Sequence, residues 1–322
     1  MVQQKWKFFL LAIIAPAFAY ADEADLVAAL QNTYSACVGI DANLADLKKM
    51  AGINTAITGV GTGLGVGAVA VGIAKENVDK SIDEEIKNLR DYSYGASPDE
   101  EVDDTDVFEA DVIEELKNIV SKDGHPVKSR IDQERADRLK QLAEKSKSLG
   151  NWRTGLLAGN TVTNVAGAII AGKNTTDGDL QNQIDNCKNA ISELRRARGR
   201  ARIDGVDVGE ANKIISACEG FETVDISKIN TRAKGAMISS AVGAATGLSG
   251  TITSGIANSV SVRNQGEGGT RTDKEKNLNT ASNVLAGAST VASGVATVFN
   301  ATQISAIKKV ADVATKCTEA LK

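Results

Sequence analysis

The chain has 322 residues, with 37 Lys and Arg against 41 Asp and Glu, one His and four Cys. The formal net charge of −4 argues against nucleic acid as the main partner, because phosphate binding needs a surplus of basic side chains. A single His excludes metal sites built from several imidazoles. The length and the 42% share of hydrophobic residues predict a folded chain with a buried core.

Residues 1–21 have the three parts of a secretory signal peptide. Lys5 and Lys7 form a basic start, an apolar run follows, and Ala19 and Ala21 place small residues at the cleavage position. The apolar run is shorter than the roughly 20 residues that a permanent membrane helix needs. We therefore expect an exported mature chain, located in the periplasm, at the envelope or outside the cell.

The mature chain contains two copies of one pattern, and such repeats indicate architecture. The sequence SACVG at 35–39 reappears as SACEG at 216–220. Each copy then has two stretches without Asp, Glu, Lys or Arg, which are 51–74 with 154–172 and 235–262 with 278–304. We predict two tandem helical hairpin units, 22–203 and 206–322, with a charged insertion at 76–150 in the first.

The four cysteines frame these uncharged stretches, one before and one after each pair. Cysteines in an exported chain favour disulfides. In a hairpin of two antiparallel helices, the two cysteines of each copy lie at similar distances from the turn. They therefore come together at the open end of the hairpin. The spacing therefore favours Cys37–Cys187 and Cys218–Cys317 among the three possible pairings, and four buried thiols are the alternative.

Helix is favoured over strand in the repeated segments. Apart from the signal, proline occurs only at Pro98 and Pro126, both in the insertion. Aliphatic residues recur at spacings of three and four, as in 284, 288, 291, 295 and 298 and in 252, 256 and 260. We therefore predict an all-α fold. The high glycine content opposes helix, so a β-roll rich in Gly, Thr and Asn is the alternative.

Rows of glycine predict close packing of these helices, by the small-xxx-small arrangement that lets two backbones approach. The rows look like glycine-zipper segments, which are a packing motif rather than a function. The predicted helix-packing positions are Gly59, Gly63, Gly67, Gly167, Gly243, Gly247, Gly287 and Gly294.

The uncharged stretches are 19 to 28 residues long and lack charge on every helical face. A soluble amphipathic helix normally has charged residues on its outer face. Two environments fit this pattern: a soluble or self-associated bundle, and a lipid bilayer. Polar and glycine residues within the stretches weaken membrane insertion, so self-association is the leading interpretation.

Two charged patches stand out. From 99 to 115, ten of 17 residues are acidic and none is basic; such a block is usually solvated, although clustered carboxylates also suit calcium. The basic patch is either a site for an anionic surface or the solvated end of a helix; it contains Arg195, Arg196, Arg198, Arg200 and Arg202.

Catalytic signatures are absent or weak. Residues 167–173 resemble a phosphate-binding loop, but Asn174 occupies the position of the required Ser or Thr. We therefore expect no enzyme, no cofactor, no nucleic-acid partner and no small-molecule substrate. The leading prediction is a non-catalytic structural or interaction protein of the envelope or exterior, whose partner is itself or another envelope protein. The alternative is a membrane-inserting protein that forms a pore or perturbs a bilayer.

Overall fold

A computed structural model describes residues 23–94, 126–175, 178–259 and 271–322. Within these ranges the regular structure is helical and no strand is present. The all-α prediction is confirmed and the β-roll alternative is wrong. The physical reason is that buried residues recur at spacings of three and four, the period of a helix. The predicted signal and the acidic block 99–115 lie outside the described residues.

The helices are long and their connections are short. Gly39 separates the first two with a φ of +91°, a backbone conformation that favours glycine. A short 3-10 helix, Glu219–Thr223, follows the fifth α-helix. The described α-helices are α1 (residues 23–37), α2 (Ile40–Tyr94), α3 (Pro126–Lys173), α4 (Asp179–Ile203), α5 (Gly209–Cys218), α6 (Ser227–Ala257) and α7 (Asp273–Ala320).

The chain divides into two compact units. Unit 1 takes its described residues from Met1–Ala56, Ile169–Met237 and Thr297–Lys322, and unit 2 takes them from Ile57–Ala168 and Ile238–Ala296. Each unit contains residues from both predicted hairpin units, 22–203 and 206–322, because helices from the two parts of the chain pack on each other.

Unit 1 has a conventional apolar core. Buried aliphatic side chains of α1, α2, α4, α5, α6 and α7 surround Phe221, which has no exposed surface. Hydrogen bonds at the surface join α1 to α4, among them Asn32 Nδ2 to Glu193 Oε2 at 3.0 Å. Asp225 accepts hydrogen bonds from Ser227 near the start of α6, and these lower its pKa.

Both disulfides belong to the core of unit 1. The structure joins Cys37 to Cys187, with 4.8 Å between their Cα atoms, and Cys218 to Cys317, with 4.4 Å. These are the pairs expected from the sequence spacing. All four cysteines are buried, and the Sγ atoms of Cys37, Cys187 and Cys317 lie within 4.8 Å of one another.

We expect a non-reduced proteolytic digest of the purified protein to contain two cross-linked peptide pairs, one with Cys37 and Cys187 and one with Cys218 and Cys317. Mass spectrometry before and after reduction measures this. Alkylation without reduction should leave all four cysteines unlabelled, since no free cysteine is present among the described residues. A peptide that links Cys37 to Cys218 would contradict the pairing.

Unit 2 is an antiparallel four-helix bundle of α2, α3, α6 and α7. Thr154 Oγ1 on α3 lies 3.0 Å from Ser254 Oγ on α6. Ser282 Oγ on α7 donates to the Gly250 carbonyl on α6 at 3.0 Å. Unit 2 therefore packs α2 and α3 against α6 and α7, which follow them in the chain.

Candidate functional site

The buried residues of unit 2 follow a heptad spacing, but most of them are small or polar. On α3 they alternate at distances of four and three along the chain, which is the spacing of a left-handed coiled coil. They are Ser146, Gly150, Arg153, Leu157, Asn160, Asn164 and Gly167. The bundle therefore has coiled-coil geometry with a polar core.

Hydrogen bonds between α3 and α7 cross the centre of this core. Asn160 Nδ2 donates to Ser289 Oγ at 2.8 Å, and Asn164 Nδ2 donates to Ser293 Oγ at 2.8 Å. Ser289 Oγ in turn donates to the Gly243 carbonyl of α6 at 2.6 Å. These four polar side chains have no exposed surface. Their mutual pairing meets the requirement that buried polar groups be hydrogen-bonded.

Glycines bring the backbones close enough for these hydrogen bonds. A Cβ atom added at Gly243 would lie 2.7 Å from Asn164 Oδ1, and one at Gly247 would lie 2.7 Å from Thr161 Oγ1. On α2, a Cβ atom at Gly61 would lie 2.6 Å from Thr163 Oγ1. Real Cβ atoms essentially never come this close to another heavy atom, so a larger residue at these positions would force Asn164, Thr161 or Thr163 to move.

The structure places the predicted glycines in three different environments. Gly167, Gly243 and Gly247 are buried. Gly67 and Gly294 have a single neighbouring side chain each, Leu156 at 3.5 Å and Thr62 at 4.0 Å from an added Cβ atom.

The remaining predicted glycines face open space. A Cβ atom at Gly59, Gly63 or Gly287 would meet no neighbouring atom within 4 Å. On α2 the close contacts are instead made by Gly61 and Gly65, which lie on the neighbouring row. Within the described residues no neighbouring helix contacts Gly59 or Gly63, so their role in helix packing stays a prediction.

Large aliphatic side chains of unit 2 point outward on all four helices. We call this set the apolar belt. Five members of the stripes that indicated helix in the sequence belong to it, which are Ile252, Ile256, Val284, Val291 and Val295. It consists of Val60, Val66, Ile73, Val162, Val165, Ile238, Val242, Leu248, Ile252, Ile256, Val284, Val291 and Val295. Unit 2 therefore has its polar residues inside and its large apolar residues outside, the reverse of a soluble bundle.

A charged layer lies where the uncharged stretches end. Lys75 Nζ lies 2.5 Å from Asp79 Oδ2, and both side chains are buried. Ser146 Oγ donates to Asp79 Oδ1. Arg271, before the start of α7, lies 3.0 Å from Glu76 and 2.9 Å from Asp83.

The pKa of Arg271 reflects this surrounding. Burial alone lowers the pKa of a guanidinium, but the hydrogen bond to Asp83 and the nearby Glu76 and Asp79 carboxylates raise the pKa of Arg271 above its ordinary value. Sequence reasoning missed the charged layer because its members lie up to 195 residues apart. Only the positions of Lys75 and Arg153, at the edges of uncharged stretches, indicated it.

About two turns along α2 from Lys75 of the charged layer is a small apolar layer made by Leu157, Ala68 and Ala286. Leu157 is fully buried, and its Cδ1 lies 3.6 Å from the position of an added Cβ atom at Gly250 on α6. A single large side chain of α3 thus occupies the space that small residues of α2, α6 and α7 leave. Polar side chains lie on both sides of it along α3, Arg153 on one and Asn160 on the other.

The predicted arginine patch lies at the end of α4 in unit 1. Arg195 pairs with Glu222 and Arg200 with Asp25 at 3.2 Å. Arg198 donates to Asn212 Oδ1 at 3.2 Å, whereas Arg196 and Arg202 are exposed. Such exposed ion pairs contribute little to stability.

Comparisons with protein families, with curated proteins and with solved structures find no match for this chain.

Proposed function

We propose that the protein is an exported, non-catalytic envelope protein whose unit 2 inserts into a lipid bilayer. The apolar belt is the observation that carries this proposal, because acyl chains are the solvent in which such a surface is stable. It favours the second of the two functions considered from the sequence. The two disulfides are compatible with an exported protein. The proposal requires no cofactor, nucleic acid or small-molecule substrate.

The cost of leaving the belt in water supports this proposal. Burying a Val, Leu or Ile side chain is worth about 1.5–3 kcal/mol relative to exposure. Isolated exposed aliphatics are ordinary, but a contiguous apolar surface normally marks a membrane or protein contact. The shortest uncharged stretch, 154–172, has 19 residues. As a helix it is about 28 Å long, close to the roughly 30 Å of a bilayer core.

Among the described residues, three helical segments are long and apolar enough to cross a membrane. They lie in Glu23–Asn88, Glu134–Lys173 and Asp273–Ala320, and in each the most apolar window is only 28% buried within the protein. The low burial leaves most of each window available to lipid.

Hydroxyl groups on the outer faces of the bundle bond to their own helix. Thr246 Oγ1 donates to the Val242 carbonyl at 2.8 Å, and Ser249 Oγ donates to the Ala245 carbonyl at 2.9 Å. In a bilayer, water cannot satisfy such groups, so internal hydrogen bonds are required. Bonding to the carbonyl four residues earlier meets this requirement for Ser and Thr within a helix.

Trp152 is placed where a membrane interface is expected. It directly precedes Arg153 and the uncharged stretch 154–172, and its side chain is 66% exposed. Lys147 and Glu144 line the same surface groove. Trp is enriched at the boundary between headgroups and acyl chains because its ring is apolar and its N–H is polar. This surface would mark the level at which unit 2 leaves the bilayer.

We expect the Trp emission of residues 22–322 to shift to shorter wavelength when vesicles of phosphatidylcholine and phosphatidylglycerol are added. The chain has two Trp residues, Trp6 and Trp152, so this form reports on Trp152 alone. The ring moves from water to the less polar interface, which lowers the emission wavelength. Brominated lipids should also quench the emission.

The control variant combines Trp152→Phe with Ser192→Trp, so that the single Trp lies at an exposed position on α4 of unit 1. The emission of this variant should not shift. Alkaline carbonate extraction of membranes is the second measurement, and the protein should stay with the lipid. Complete release into the soluble fraction together with an unchanged Trp152 emission would exclude insertion.

Self-association is the second candidate function, and one observation favours it. Gly59, Gly63 and Gly287 have open space in front of them, so the backbone of a second copy could approach there. Light scattering of the mature protein with and without detergent tests this candidate. A strict monomer in both conditions would remove it, whereas an oligomer that detergent dissociates would show that the apolar belt holds the copies together.

A further inference from the structure

We propose that the axis of the unit 2 bundle is a pathway for water and small ions, and that Leu157 closes it. The inference rests on the membrane insertion proposed above, and it assigns an activity to the interior of the same bundle. It follows from the order of side chains along the axis: a charged layer, a single apolar layer and then a layer of amides and hydroxyls.

The polar side chains beyond Leu157 can line such a pathway. Asn160, Asn164, Ser289 and Ser293 are paired only through neutral hydrogen bonds. A neutral hydrogen bond between protein groups is worth little relative to one with water. When the helices separate slightly, water can replace these partners at low cost.

On the other side of Leu157 the core contains polar atoms without a hydrogen-bond partner. The Nε of Arg153 and the Nδ2 of Asn279 are both buried and unpaired, although other atoms of Arg153 donate to Asn279 Oδ1 and to its carbonyl. Buried polar groups normally have a partner in the protein or an ordered water. These two donors therefore mark a place that water or an anion can occupy.

Leu157 is the large apolar side chain between these two polar regions. Its neighbours Ala68, Ala286 and Gly250 are too small to close the axis by themselves. A narrow apolar constriction blocks ions because water does not wet it. Replacing the isobutyl group with a polar group of similar size should let water connect the two regions.

The test compares ion flux in vesicles that contain the mature wild-type protein or its variants. Vesicles with an entrapped chloride-sensitive dye report anion entry, and a potassium electrode reports cation release. Leu157→Asn is expected to raise the flux at least about tenfold, which corresponds to a barrier lowered by about 1.4 kcal/mol. Leu156→Asn is the matched control; Leu156 is only partly buried, against the same apolar layer and against Gly67 of α2, and the flux of this variant should stay at the wild-type level.

Two further variants keep the test valid if Leu157→Asn does not fold. Leu157→Met keeps an apolar side chain of similar size and should keep the low flux. Leu157→Ala opens the constriction without adding a polar group and should raise the flux, so it replaces Leu157→Asn if circular dichroism shows that variant to be unfolded.

Failure of this inference differs from failure of the proposed function. Release of the wild-type protein by alkaline carbonate would overturn both. If the wild type and the folded Leu157 variants remain in the membrane and conduct equally little, insertion stands and the pathway is refuted. Equal increases in the Leu156 and Leu157 variants would also refute it, because a general loosening of the bundle would then explain the flux.

Discussion

Replacing Gly247 with Leu is expected to lower the free energy of unfolding by about 1–3 kcal/mol or more, whereas Gly63→Leu should leave it unchanged or slightly higher. A Cβ atom at Gly247 would lie 2.7 Å from Thr161 Oγ1 and 3.0 Å from Ser289 Oγ. Gly63 is exposed and has no neighbour within 4 Å. At both positions Leu is a better helix former than Gly by up to about 1 kcal/mol. A loss of stability at Gly247 together with none at Gly63 would therefore be due to packing and not to helix propensity.

Thermal unfolding followed by circular dichroism measures this difference. Gly243→Ala and Gly59→Ala form a second pair with a smaller change: an added methyl group would lie 2.7 Å from Asn164 Oδ1 at Gly243 and touch nothing at Gly59. Equal melting temperatures for the Gly247 and Gly63 variants would contradict the assignment of the close contacts to the row of α6 that contains Gly243 and Gly247.

Asp79→Asn should be the most destabilising single change in the charged layer, with a loss of about 3–5 kcal/mol. The carboxylate of Asp79 lies 2.5 Å from Lys75 Nζ and 3.8 Å from Arg271, and it accepts a hydrogen bond from Ser146. Removing its charge leaves the buried ammonium of Lys75 without its close counter-ion. Chemical denaturation of the mature protein in detergent gives the free energy of unfolding.

The control for this prediction is Asp25→Asn. Asp25 pairs with Arg200 at 3.2 Å, but both side chains are more than half exposed, so the loss should be no more than about 1 kcal/mol. A double variant, Lys75→Met with Asp79→Leu, should recover much of the stability, because an apolar pair can replace a buried ion pair at little cost. A small loss for Asp79→Asn itself would show that water reaches the layer.

Under the proposed insertion, the outward apolar belt and the polar core have one physical explanation. In lipid the hydrophobic effect does not drive helices together, so they associate through close packing and hydrogen bonds. The Asn–Ser bonds between α3 and α7 and the tight contacts of Gly243 and Gly247 are interactions of this kind. Unit 1, with its aliphatic core and two disulfides, is built like a protein in water.

Parts of this arrangement follow from the sequence alone. The spacing of aliphatic residues and the lack of proline predict helix, and the spacing of the cysteines indicates the two disulfide pairs. The lack of charge from 51 to 74 and in the other stretches predicts segments without a charged surface. These properties are local, or depend only on the lengths of two neighbouring helices. The residue pattern is therefore sufficient to predict them.

The tertiary structure decided which row of each helix faces inward. Val and Ile residues such as Val284 and Val291 recur with the same spacing as Ser282 and Ser289, so periodicity cannot separate a surface row from a core row. Gly59 and Gly61 are only two positions apart on α2, yet one faces open space and the other contacts Thr163. The side of a helix that is buried depends on its partners, and for unit 2 those partners lie in the other half of the chain.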